Sequence, residues 1–101
     1  MAGCAAAAPS LDDDPAAVAR RIAARTRDVQ IVYLGESHDN PYHHTDQARV
    51  LEAMLAGGAR PALAFEMLAQ EQQPAVDLAM RDSVDLAALG KRLAWVDRGW
   101  P

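Results

Sequence analysis

Val29-Gln30-Ile31-Val32-Tyr33-Leu34 is a nearly continuous apolar run rich in β-branched residues, and such a run suits a strand covered on both faces, as in a parallel sheet. Around it the chain alternates. The polar stretch Gly35-Glu36-Ser37-His38-Asp39-Asn40 reads as a loop, Pro41 opens a helix, and Ala48, Leu51 and Leu55 recur at helical spacing until Gly57-Gly58 ends the element. Ala62-Leu63-Ala64-Phe65 forms a second apolar run, closed by Glu66. Strand, helix and strand over roughly forty residues predict a βαβ unit with parallel strands and a right-handed crossover. The expected fold class is therefore α/β, a parallel βαβ core with flanking helices. Two strands alone leave unpaired edges and are marginal in water, so the core is read as an incomplete fragment of a larger three-layer domain.

Toward the N-terminus, residues 1–11 read as a disordered leader, and residues 12–101 as the N-terminal part of one domain, truncated at its C-terminus. Asp14-Pro15 supplies a cap followed by proline at the first helical position. A helix follows to about Arg27, with Val18 and Ile22 as a slight apolar stripe and its arginines in solvent. Beyond Gln70 the pattern is again helical, with Pro74 tolerated in a first turn and Val76 and Met80 on one side. A further helix is expected to be capped by Ser83 and to carry Leu86, Leu89, Leu93 and Val96 on one face, despite Gly90. Trp95 and Trp100 are large apolar groups that need a core to cover them.

The 101 residues are 50% hydrophobic and 24% charged, which is the profile of an ordered soluble domain. A net charge of -4 and a pI near 5.2 give no counterion-release footprint, so no nucleic-acid partner is expected. One cysteine forms no internal disulfide, and no apolar run reaches the roughly 20 residues of a membrane span. The alanine-rich composition favours helix but buries little area per residue, predicting a thin core. Met1-Ala2-Gly3-Cys4 resembles the end of a bacterial lipoprotein signal, with Cys4 as the residue to be acylated, although the basic and apolar regions of such a signal are missing. The other reading of Cys4 is a stray thiol. The expected location is the bacterial cell envelope if an upstream signal exists and the cytoplasm as written, with membrane contact only through a lipid anchor.

In an open parallel sheet the carboxyl ends of the strands form the ligand crevice. That edge would gather Gly35, permitting a sharp turn, then Glu36, His38, Asp39, His43 and His44, with Glu66 about one strand spacing (~4.8 Å) away. Glu66 closes an apolar strand, where a charge is costly unless used. Blander roles exist for each. Glu36 and Asp39 also suit capping of the next helix. His43 and His44 point about 100° apart on a helix, so both cannot face one crevice; His44 falls on the stripe with Ala48, Leu51 and Leu55, and His43 aligns with Gln47. Glu66 has Arg60 and Arg81 as alternative partners. Tyr33 and Tyr42 are the oxygen candidates for ferric iron; Tyr42 is the better placed, because Tyr33 lies within the strand and is expected to pack. A divalent metal ion held by Glu36, His38 and Glu66 would instead activate water for hydrolysis, with one carboxylate as general base. No zinc-finger spacing, haem-attachment motif, phosphate loop or nucleophile elbow is present.

Val32-Tyr33-Leu34-Gly35-Glu36-Ser37-His38-Asp39-Asn40, followed by His43-His44, Gln47, Ala64-Phe65-Glu66-Met67, Trp95 and Gly99-Trp100-Pro101, resembles the ChaN family of haem-binding bacterial lipoproteins. The resemblance runs from about Val29 to Pro101 and extends to the wider Tiki-like superfamily, which includes metal-dependent proteases and erythromycin-esterase-like enzymes. Gly35, His38 and Glu66 match that superfamily's Gly-x-x-His element and its later glutamate. The resemblance implies an α/β core with an added helical region, a role in haem or iron uptake, and haem as the bound group, with Glu36, His38, Tyr42, His43 or His44, and Glu66 as its pocket. It also implies a homodimer around stacked haems, with tyrosine to iron and basic residues to the propionates.

Overall fold

The computed structural model describes residues 14–95. The chain divides into two compact units, one running to Pro61 and the other beginning at Ala62. The leader with Cys4, and Val96 and Trp100, lie outside the described residues.

The first unit is two helices and the segment between them. Helix α1 spans Pro15–Arg25. The Asp14 side chain accepts the Ala16 N–H at 3.3 Å, and Pro15 takes the first helical position, where a missing N–H costs nothing. Thr26 closes it, returning both its N–H and its hydroxyl to the Ile22 carbonyl. Helix α2 spans Pro41–Ala56; Asn40 caps it by accepting the Tyr42 N–H at 3.0 Å, and Gly57 ends it. The two helices pack together, burying Ala19 and Val50. The face of α2 that carries this contact is not the expected one: Ala48 is exposed and Leu55 is 43% exposed, while Val50 is buried.

The expected βαβ core is overturned. Among the described residues there is no strand and no sheet. Residues 29–37 and 59–65 run without helix, but neither joins a ladder. The β-branched run disposes its own residues to extend; a sheet further requires a neighbour to take up the alternate N–H and C=O groups, and that is a non-local condition. Without it Ile31 and Tyr33 stand exposed, Tyr33 at 88%.

In the second unit a single 3₁₀ turn, Gln70–Gln72, leads into α3, Gln73–Asp82, and then α4, Leu86–Arg92. Gln72 ties the unit together: its side-chain oxygen accepts the Ala69 N–H at 2.9 Å, and its side-chain nitrogen donates to the Leu93 carbonyl at 2.8 Å. Ser83 does not start α4. It ends α3 in the left-handed conformation (φ 52°), with its N–H on the Ala79 carbonyl, and Asp85 is the cap of α4, accepting the Ala88 N–H at 2.7 Å. Ala79 and Leu93 are buried, Trp95 is half-buried, and Leu86 is 86% exposed. Ala19, Val50, Ala79 and Leu93 are the buried hydrophobic residues among those described, so the core is as thin as the alanine content implies.

Candidate functional site

The polar loop after the apolar run folds back on the first two turns of α2. Its bend lies at Ser37–Asn40, where the Asn40 N–H donates to the Ser37 carbonyl at 2.9 Å. Gly35 does not make this turn: its φ is outside the left-handed region, and a Cβ there would meet nothing within 4 Å.

Glu36 turns inward. Its side chain is only 10% exposed, with Oε1 at 3.3 Å from His38 Nδ1 and Oε2 at 2.5 Å from His44 Nε2. The second contact is electrostatic rather than a well-aligned hydrogen bond, and both of its atoms are sealed from solvent with no other partner. Neither Glu36 nor Asp39 caps α2, since Asn40 does so.

His43 also reaches back, but to the main chain. Its Nδ1 accepts the Ser37 N–H at 2.9 Å, and its Nε2 lies 3.1 Å from the Asn40 side-chain nitrogen. One turn later Gln47 donates to the Leu34 carbonyl at 3.0 Å. The adjacent histidines thus serve different sides of the same loop, as their angular separation requires.

Beside this loop is an open cleft of about 230 Å³, lined by Ile22 of α1, by Tyr33, Leu34 and Gly35, and by His43, Asp46, Gln47 and Val50 of α2. The α2 residues sit at intervals of three and four, one helical face. Sequence reasoning aligned His43 with Gln47 but did not extend that face to Asp46 and Val50, nor place Ile22 opposite it, because it followed the stripe of Ala48, Leu51 and Leu55. The helical spacing from His43 through Val50 was the signal that would have found the face. An extended segment with unpaired carbonyls needs donors opposite it, so the helix face it lies on carries polar groups. Tyr33, expected to pack, instead stands exposed at the rim, and Tyr42 is exposed as well.

Glu66 belongs to the other unit, where it lies in an exposed turn and makes no ion pair with Arg81. The desolvation argument for using it falls away, because an exposed carboxylate bears no such cost. Among the described residues there is no sheet, and so no strand rim of the kind expected to unite Glu66 with Glu36 and His38. Among the described residues no group of three His, Cys, Asp or Glu side chains is arranged to hold a metal ion.

The cleft is open and largely apolar, with the exposed Tyr33 among its lining residues and His43, whose imidazole holds the loop, beside it. Residues 22–101 match the family model described as haem-binding uptake, Tiki superfamily, ChaN, and the chain belongs to that family. No curated protein and no solved structure matches it.

Proposed function

We propose that the chain takes up haem as cargo at the cleft beside Tyr33, as part of haem or iron acquisition at the bacterial cell envelope. The observation that carries this reading is the Tyr33 side chain, 88% exposed at the rim of a cleft floored by Ile22, Leu34 and Val50. A phenol oxygen is a suitable donor to ferric iron, and apolar side chains suit a porphyrin face. At about 230 Å³ the cleft is smaller than pockets that enclose a drug-sized ligand, so it receives an edge of the macrocycle. Val29 and Ile31, earlier in the same segment as Tyr33, are exposed apolar residues as well. Tyr42, also exposed, is the second oxygen candidate. Glu36, with His38 and His44 each facing one of its oxygens, supports the loop. Attachment through Cys4 belongs to the same reading and is tested by labelling of that residue with palmitate in the native host.

Hemin titration of the full chain tests the binding. A Soret band with a tyrosinate-ligated ferric spectrum is expected, lost in Tyr33→Phe and kept in Tyr42→Phe. An unchanged spectrum in Tyr33→Phe would reassign the ligand, and a featureless wild-type titration would end the reading.

A further inference from the structure

The two ring nitrogens of His43 are both occupied inside the protein. Because Nδ1 accepts the Ser37 N–H at 2.9 Å, it carries no proton, and the neutral imidazole has its proton on Nε2. The ring's Nε2 lies 3.1 Å from the Asn40 side-chain nitrogen, and the Asn40 side-chain oxygen receives the Tyr42 N–H at 3.0 Å.

His43 is the third residue of α2. In a capping box the side chain at that position, a Glu or Gln, reaches back to the N–H of the cap residue itself. Here the Asn40 N–H is already given to the Ser37 carbonyl, and the imidazole reaches three residues further, to the Ser37 N–H. Both main-chain groups of Ser37 are thus held from the start of α2, while Gln47 holds the Leu34 carbonyl one helical turn on. Tyr33 adjoins the segment so fixed.

We propose that His43 is a positioning residue for the haem site: through Nδ1 it clamps the Leu34–Ser37 loop onto α2, and so holds the Tyr33 phenol at the cleft without itself touching iron. The proposal rests on the haem-binding reading and deepens it, assigning to the main chain a histidine that the motif alone offers as a ligand.

The test compares the wild-type full chain with His43→Phe, which keeps a ring but no acceptor, and His43→Asn, whose amide oxygen replaces Nδ1. Without hemin, nitrogen NMR of wild type should show the His43 proton on Nε2, and exchange of the Ser37 amide should be slow. His43→Phe should accelerate that exchange and weaken hemin binding about two- to tenfold, the effect of one hydrogen bond. The Soret maximum should stay in place, and His43→Asn should restore both quantities. A moved Soret maximum in His43→Phe would make His43 a ligand, and unaltered Ser37 exchange would abolish the clamp. If His43→Phe does not fold, a wild-type proton found on Nδ1 overturns the proposal alone. If wild type takes no hemin, the haem reading fails while the exchange and nitrogen measurements still decide the clamp.

Discussion

At Glu36 a carboxylate that is 10% exposed sits between two imidazoles, and each of its oxygens faces a different one. Removing it would leave His44 Nε2 buried with nothing to meet, because that atom has no other partner. Glu36→Ala should therefore destabilise the chain by about 1–3 kcal/mol, the cost of an unsatisfied buried polar group. His44→Ala should cost a similar amount, and the double variant less than the sum, since the two share one contact. Urea unfolding of the four proteins of this cycle measures the coupling; strict additivity would show that the contact contributes nothing. The residue types of this cluster were legible in the sequence, as was the divergence of His43 and His44. What the sequence did not show is that both histidines turn toward the loop, because their partners, a carboxylate and a main-chain N–H, are chosen by the path of the loop and not by helix periodicity.

Among the elements, α4 has a clear defect. Gly90 lies inside its seven residues, and a Cβ added there would meet nothing within 4 Å. Gly90→Ala should raise stability by about 0.5–1 kcal/mol through the reduced entropy of the unfolded chain, read as a shift in thermal unfolding. Helix starts at Asp14-Pro15 and Asn40-Pro41 and the stop at Gly57 were legible because capping chemistry is local. Ser83 was misread as a starting cap because serine suits that role; the preceding helix uses it in the left-handed conformation, and Asp85 supplies the cap two residues later. The sheet could not be read from the apolar runs, since extension is a property of one segment and pairing is a property of two.

At the scale of the whole chain, few of the described residues are buried and many large apolar side chains are not: Ile31, Tyr33, Phe65, Met80 and Leu86 all face solvent. Hydrophobic stabilisation scales with the area removed from water, so a chain with this core starts from a low intrinsic stability. A ligand that binds only the folded state then has a large proportional effect. Hemin at a hundredfold excess over its dissociation constant should stabilise the chain by about 2.7 kcal/mol, seen as a concentration-dependent rise in the thermal midpoint. A midpoint indifferent to hemin would show that folding and cargo are not linked.

Asn40 is followed by Pro41. Asparagine ages when the next residue's main-chain nitrogen, freed of its hydrogen, attacks the side-chain amide to close a succinimide; proline has no such hydrogen to lose. The side chain that caps α2 and meets His43 is thereby shielded from deamidation by its own neighbour, and prolonged storage should leave this position as asparagine in a mass-spectrometric peptide map.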